Sequence, residues 1–319
     1  MKVLVTGASG MLGAGVARAL DARGDDVTVL QRRPSGLGLR EVLADVADAG
    51  AVAAAVTGHD AVVHLAAKVD IAGPWRAYAR ANVDGTRAVL DACRTAGAGR
   101  LVHVSSPSVA HAGRALVGAP AGPADPARAR GHYARSKAAA ELLALAPAPG
   151  GPDVVAVRPH LVWGPGDTQL VGRIAARARA GRLVVVGSGA ALIDTTYVDN
   201  AVDALVAALD RCERVRGEAL VVSDGQPRPV AELLGAICRA VGAEPPRRAV
   251  PAGVARTAGA AVEAVWAALP RRAGDPPMTR FLAEQLSTAH WFDQRRTREA
   301  LGWTPRVGLD AGLAALARG

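Results

Sequence analysis

Apolar and polar positions alternate in two periods along this 319-residue chain, and the alternation is regular from the start. Lys2-Val3-Leu4-Val5-Thr6 is a short apolar run that ends at glycine, the pattern of a buried strand. A helical spacing follows through Val16 and Leu20. Asp26–Leu30 predicts a second strand, Val42–Val46 a weaker third, and Asp60–Leu65 a fourth that is apolar enough to be buried on both faces. Asn82–Ala96 carries Val83, Val89, Leu90 and Cys93 on one side and predicts a helix. Arg100–Val104 predicts a fifth strand, Tyr133–Ala146 a helix stopped by Pro147, and Val154–Val157 a sixth strand. Strands separated by helices predict an α/β fold. Its sheet would be parallel and doubly wound, with right-handed crossovers and a ligand outside the carboxyl ends of the strands.

The pattern loosens after the sixth strand. Gly164-Pro165-Gly166-Asp167 predicts a turn and 170–180 a basic helix. Asp199–Leu209 and Val230–Val241 predict helices, with Ala219–Val222 as a strand between them. Helices punctuated by proline follow Pro245. The expected division is a doubly wound domain over 1–165, with 183–224 adding to it. A smaller, mostly helical domain would comprise 225–319 together with 166–182. Gly113–Gly131 is poor in pattern; it predicts a surface loop beside the site, because it joins two site segments. The longest apolar run, Pro251 to Pro270, is broken by Arg256 and Glu263 and predicts a buried or interfacial helix, not a membrane span.

The first strand and first helix are joined by Gly7-Ala8-Ser9-Gly10-Met11-Leu12-Gly13. Gly7 permits a sharp turn, Gly10 lets backbone N–H groups approach a pyrophosphate, and Gly13 lets the helix lie close to the strand. The helix N-terminus then offers unpaired N–H groups and a positive dipole end. A glycine triplet among 36 glycines would by itself be an ordinary turn. Between this strand and this helix it predicts a dinucleotide site formed by Gly7, Ser9, Gly10, Met11, Leu12 and Gly13. The end of the second strand, Gln31-Arg32-Arg33, selects the dinucleotide. An NAD enzyme of this fold places an acid there for the ribose 2′-OH. No acid occupies this turn, and two arginines suit a 2′-phosphate, so NADP(H) is expected and NAD(H) is the second choice. The bland alternative is the chain's heavy arginine usage.

Two further segments carry chemistry. Tyr133-Ala134-Arg135-Ser136-Lys137 places a tyrosine and a lysine on one helix face. Reduction of a carbonyl needs a proton donor, and a nearby ammonium would lower a tyrosine pKa of about 10 toward the working range. With three tyrosines and three lysines in the chain, a chance Tyr-x-x-x-Lys has a probability of about 0.03. Ser105-Ser106-Pro107-Ser108-Val109 ends the fifth strand, where a hydroxyl would polarise a carbonyl; alone it would read as a serine-rich turn.

Composition narrows the picture further. Net charge is +9 and aromatic residues are 3%. The arginines are dispersed and no helix-turn-helix or zinc pattern is present, so a solvated basic surface is expected and no nucleic-acid partner. Cys93, Cys212 and Cys238 are widely separated and odd in number, which predicts a reducing cytoplasm, no disulfide framework and no metal site. The N-terminus enters a strand at Lys2, leaving no room for a signal peptide.

The Gly7-x-x-Gly10-x-x-Gly13 turn, Tyr133-x-x-x-Lys137 and the serine segment resemble the extended branch of the short-chain dehydrogenase/reductase superfamily. So do His64-Leu65-Ala66-Ala67, Asn82-Val83-Asp84-Gly85-Thr86, Arg158-Pro159-His160 with Gly164-Pro165-Gly166, and Tyr197-Val198-Asp199-Asn200. The resemblance covers most of the chain. It implies a Ser-Tyr-Lys reductase with Ser106, Tyr133 and Lys137 catalytic and Asn82 supporting a proton relay. Lys137 would also hold the nicotinamide ribose. It places Asp45 and Val46 beside the adenine, Leu65, Ala66, Ala67 and Lys68 along the cofactor, and Pro159 and Leu161 at the nicotinamide. Ser108, Val109 and Trp163 would face the substrate, and none of the seven histidines is assigned to catalysis.

The wording around Lys68, Ser108, Trp163 and the Trp291-Phe292 and Leu301–Pro305 tail is most similar to 3β-hydroxysteroid dehydrogenase-like members, including bacterial 2-alkyl-3-oxoalkanoate reductases. That implies an apolar ketone or alcohol as the small-molecule substrate, a homodimer through the Asn82 and Tyr133 helices, and openness to a peripheral membrane contact. Two alternatives stand beside it. One is a sugar-nucleotide epimerase or dehydratase that retains its NAD, disfavoured by Val109-Ala110-His111 where such enzymes continue Val-Tyr-Gly. The other is a non-catalytic cofactor-binding regulator, disfavoured by the intact serine, tyrosine and lysine.

Overall fold

A computed structural model describes residues 1–70, 73–111, 113–268 and 279–318. In chain order its strands begin with β1 (Lys2–Thr6), β2 (Asp26–Gln31), β3 (Arg40–Leu43), β4 (Ala61–His64), β5 (Arg100–Val104), β6 (Leu116–Ala119), β7 (Asp153–Pro159) and β8 (Val162–Trp163). They continue as β9 (Val185–Val186), β10 (Leu192–Ile193), β11 (Thr196–Tyr197), β12 (Ala219–Val222), β13 (Arg228–Pro229), β14 (Ala249–Val250) and β15 (His290–Phe292). The large sheet has the order β12-β7-β5-β4-β1-β2-β3 and is parallel throughout. The chain winds outward from β1 to β3, returns to β4, and winds the other way. The crevice therefore opens between the carboxyl ends of β1 and β4, where a doubly wound sheet takes its ligand.

Both faces of this sheet are covered, which is why its strands are apolar runs. The helices divide between two cores: α1 (Met11–Ala22), α6 (Val171–Arg179), α7 (Val198–Asp210) and α8 (Val230–Ala240) contribute to one, and α2 (Ala49–Val56), α4 (Gly85–Ala96) and α5 (Gly131–Leu145) to the other, with α3 (Trp75–Tyr78) beside α5. Leu4, Leu30, Val62 and Leu101 point to the core shared with α2 and α4; Val3, Val5, Val63 and Val102 alternate to the core shared with α1 and α7. A Cβ on Gly15 would lie 2.6 Å from Val202 Cγ2, so α1 and α7 approach closely there.

The remaining helices are α9 (Ala252–Ala268), α10 (Arg280–Ser287), α11 (Arg295–Leu301) and α12 (Leu309–Leu316). Leu301, Trp303, Leu309 and Leu316 belong to the same core as α7 and α8. Residues 269 and 270 of the apolar run lie outside the described residues. Among the described residues, no helix is long and apolar enough to cross a membrane.

Three expectations shift. The third strand is Arg40–Leu43, so Asp45 and Val46 lie beyond its end. The helix expected from Asn82 starts at Trp75, and Ala79–Asp84 is a wider π-helical turn. The segment expected to be loop contains β6, which joins a four-stranded sheet of order β13-β10-β15-β6. A strand of four residues whose partner is distant in sequence leaves little local pattern.

Candidate active site

Gly7 follows β1 with φ +81°, in the left-handed region that favours glycine. A Cβ there would lie 2.7 Å from Ala66 N, and one on Gly13 would lie 2.4 Å from Gly7 O. The protein's own packing thus requires both glycines. Gly10 differs: its φ is −93° and ψ 156°, and a Cβ would meet only Gly7 O at 3.6 Å, an ordinary contact. Among the described residues no atom demands glycine there. The open side of the turn is a cradle that a methyl group would fill, and α1 begins beside it with no side-chain cap on its first N–H groups. An anion such as a dinucleotide pyrophosphate fits these donors and the dipole end. Ser9 is exposed at this turn, and Met11 and Leu12 are partly buried.

The other expected cofactor residues surround the same crevice. Arg32 and Arg33 are exposed and have no ion pair among the described residues. Gln31 is buried, and its Nε2 donates to Glu41 Oε1, which also accepts from Ser35 N at 2.8 Å. Those hydrogen bonds hold the Glu41 pKa below its ordinary value. The sequence turn holds no acid, yet the neighbouring strand delivers one to it. Asp45 pairs with Arg80 at 3.1 Å, and Val46 packs against Gly85. Leu65 N donates to Thr6 O at 3.2 Å and Ala66 N to Thr6 Oγ1 at 3.1 Å; Ala67 is partly buried beside them. Pro159 ends β7. Leu161, with φ +44°, is the one non-glycine residue at positive φ among those described. Such a conformation costs about 1–3 kcal/mol and clusters at ligand sites.

The catalytic candidates meet at the end of β5. Ser106 caps the 3₁₀ turn Pro107–Ala110; its Oγ accepts from Ser108 N at 3.3 Å and lies 2.9 Å from Ser108 Oγ. Ser106 lies close enough to the Tyr133 hydroxyl to act on its pKa, drawing it down. Lys137, one turn further along α5 and 3% exposed, donates from Nζ to Val104 O at 2.6 Å. Asn82 lies in the π-helical turn, 1% exposed. Its Oδ1 accepts from Lys68 N at 2.7 Å, and its Nδ2 donates to Lys68 O at 3.1 Å and to Ser136 Oγ at 2.8 Å. Ser136 Oγ in turn donates to Tyr133 O at 2.8 Å. Asn82 therefore ties the β4 end to the turn of α5 that carries the tyrosine.

Electrostatics refine the roles. Burial pushes the Lys137 pKa down to about 8, with Glu141 acting the other way. Burial raises the Tyr133 pKa above 10, and Ser106 opposes it. The expected lowering by Lys137 is thus absent in the free protein: the amine is engaged with Val104 O, and desolvation dominates. His64 has its pKa lowered to about 3 by burial and stays neutral. Its Nδ1 is 2.8 Å from Thr6 Oγ1 and its Nε2 3.1 Å from Thr86 Oγ1. Thr86 Oγ1 donates to Asn82 O at 2.7 Å, so His64 Nε2 carries the proton. This histidine links the glycine turn to Asn82 and is structural.

Two placements were not legible. Arg158 and Glu141 are buried together, with Nε to Oε2 at 2.8 Å and Nη2 to Oε1 at 2.5 Å. Arg158 Nη1 also donates to Ala121 O and Gly122 O, fastening that loop to α5. Trp163, expected against the substrate, is fully buried in the core instead, edge-on to Tyr197, with its N–H on Thr195 Oγ1 at 3.0 Å. Val109, expected with Ser108 to face the substrate, borders a cavity of about 320 Å³ that reaches Ala129, just before α5.

Residues 3–223 match the model of the NAD dependent epimerase/dehydratase family. The chain belongs to that family. It is similar to the 2-alkyl-3-oxoalkanoate reductase of Stenotrophomonas maltophilia (strain K279a), with 42% identity over 99% of this chain and 98% of the relative. It is also similar to the 3 beta-hydroxysteroid dehydrogenase/Delta 5-->4-isomerase of Mycobacterium tuberculosis, with 32% identity over 95% of this chain and 86% of the relative. Among solved structures, MoeE5 in complex with UDP-glucose and NAD matches 100% of this chain and 98% of its own, at 27% identity and a TM-score of 0.73. The chain is an oxidoreductase of the extended short-chain dehydrogenase/reductase kind, as its motifs imply.

Proposed function

We propose that this enzyme reduces the 3-oxo group of an apolar 3-oxo acid or a related ketone, using NADPH. The observation that carries the reading is the convergence at the end of β5 of Ser106, of Tyr133, on whose pKa Ser106 acts, and of Lys137, whose Nζ donates to Val104 O at 2.6 Å. Bound NADPH supplies a hydride to the carbonyl carbon. Ser106 donates a hydrogen bond to the carbonyl oxygen and polarises it. Tyr133, whose raised pKa keeps its proton in place, delivers that proton to the same oxygen as negative charge builds there. The Lys137 ammonium stabilises the resulting phenolate and binds the nicotinamide ribose. Asn82 holds α5 in register through Ser136.

The turn Gly7 to Gly13 holds the pyrophosphate. Arg32 and Arg33, without ion pairs among the described residues, take the 2′-phosphate, while Glu41 is held by Gln31 and Ser35. Residues 1–165 with 183–224 hold the dinucleotide, and 225–319 with 166–182 cover the substrate. The working unit is a homodimer through α4 and α5, where Leu142 remains 49% exposed. The substrate class rests on the similarity to the oxoalkanoate reductase. NADPH oxidation against 3-oxo acids, 3-oxosteroids and UDP-glucose tests the reading: turnover of a 3-oxo substrate supports it, and activity confined to UDP-glucose overturns it.

A further inference from the structure

The cavity of about 320 Å³ beside the serine turn is lined by Val109, His111, Leu116, Ala119, Arg128 and Phe292 among others. That volume is in the range of small-molecule pockets. Arg158 fastens the loop at Ala121 and Gly122 that forms one wall, so the space has a fixed shape. His111 is only 2% exposed, and its Nε2 has no hydrogen-bond partner among the described residues. Its Nδ1 accepts from Gly113 N at 3.3 Å. A neutral imidazole that accepts at Nδ1 carries its proton on Nε2, so the unpartnered atom is a donor. The Phe281 ring stands edge-on to it. A buried donor without an acceptor is costly, and an apolar space lined by one such donor is built for a ligand with an apolar body and one oxygen acceptor. Two charged residues line the cavity: Asp125, whose Oδ1 accepts from Ala127 N at 2.9 Å and Arg128 N at 3.1 Å, and Arg128, whose exposed guanidinium has no ion pair among the described residues and supplies the positive charge.

We infer that this cavity holds an alkyl chain of an acyl substrate whose carboxylate accepts a hydrogen bond from His111 and faces Arg128. The inference rests on the ketoreductase reading and locates its substrate. Val109 and Ala110, which line the cavity, belong to the 3₁₀ turn that Ser106 caps, and this places the cavity at the serine end of the site.

The experiment measures kcat/KM with NADPH for 2-methyl- and 2-decyl-3-oxobutanoate and for their ethyl esters. It uses wild type, His111→Ala, His111→Gln and Ala119→Leu, each checked by thermal unfolding. Burying a methylene favours binding about fourfold, so wild type prefers the decyl acid, and Ala119→Leu cuts the decyl-to-methyl ratio more than tenfold. His111→Ala lowers the acid-to-ester ratio about 10- to 150-fold, the size of a hydrogen bond to a charged group. His111→Gln, which keeps an N–H donor, restores part of it. Ratios unmoved by these substitutions in an enzyme that reduces the ketones overturn the inference and leave the ketoreductase reading intact. A wild type that reduces none of the four compounds overturns both.

Discussion

The methyl groups added by Gly13→Ala and Gly10→Ala enter two different environments. At position 13 the new Cβ would sit 2.4 Å from Gly7 O, 2.9 Å from Gly7 C and 3.1 Å from Ala8 Cα, all backbone atoms. Relief requires α1 to move off β1, at the upper end of overpacking costs, about 3 kcal/mol. At position 10 the Cβ meets only one oxygen at 3.6 Å, in a backbone conformation open to any residue. Alanine there reduces unfolded-state freedom and stabilises by ~0.4–1 kcal/mol. At ~2.1 cal/mol/K per residue, a chain of this length shifts its Tm by about 1.5 °C per kcal/mol. Gly13→Ala is therefore expected to melt about 5 °C below wild type, and Gly10→Ala within about 1.5 °C of it.

Cofactor affinity should reverse that order of harm. The Gly10 methyl fills the cradle and removes at least one N–H bond to a charged phosphate, worth ~1.5–3 kcal/mol, or about 10- to 150-fold in Kd. Thermal unfolding without ligand and fluorescence titration with NADPH measure the two effects separately. If Gly10→Ala binds NADPH like wild type, or melts as low as Gly13→Ala, the cradle reasoning is refuted.

Burial holds the Lys137 pKa near 8 in the folded protein. Below that pH the buried ammonium costs stability, roughly 3 kcal/mol relative to its pKa of about 10.4 in the unfolded chain. Between about pH 8 and 10.4 the unfolded chain binds more protons, so this cost fades as pH rises. Activity moves the other way: kcat/KM falls above about pH 8 as the charge is lost, and a profile flat to pH 9.5 would contradict this. Glu141→Gln should move that limb to lower pH and, by leaving Arg158 buried without its partner, destabilise by about 3–5 kcal/mol, read by denaturant unfolding. Arg32→Ala and Arg33→Ala should lower the NADPH-to-NADH ratio of kcat/KM, and a wild type that prefers NADH would end the 2′-phosphate assignment. Ser106→Ala should cost ~10²-fold in turnover and Ser108→Ala less; the reverse ranking would show the serines misassigned.

The sheet was legible where chemistry forces local residues to agree. Val3-Leu4-Val5 can only be buried, and Gly7 and Gly13 are fixed by contacts with near neighbours and with the end of β4. The convergence of Tyr133 and Ser106 was implied by two motifs that each sit at a strand or helix boundary. What escaped depends on partners distant in sequence. Leu116–Ala119 becomes a strand because His290–Phe292 lies beside it. Glu41 reaches the end of β2 across a strand pair that β2 and β3 must first form. Trp163 preceded a glycine turn as a pocket residue does, yet the approach of Gly312, whose Cβ would lie 2.9 Å from its ring, buries it in the core. The raised pKa of Tyr133 also lay outside sequence reach, because spacing gives the lysine's position and not the extent of burial.

The most direct test of the central claim is Tyr133→Phe, assayed for NADPH-dependent ketone reduction and for NADPH affinity in the same preparation. In the proposed mechanism the hydroxyl delivers the proton and contributes little to binding the dinucleotide. A positioned general acid supplies ~10²–10⁴-fold, so turnover should fall at least 100-fold while the NADPH Kd stays within about threefold of wild type. A variant that keeps more than a tenth of wild-type turnover would contradict the assignment of Tyr133 as the acid.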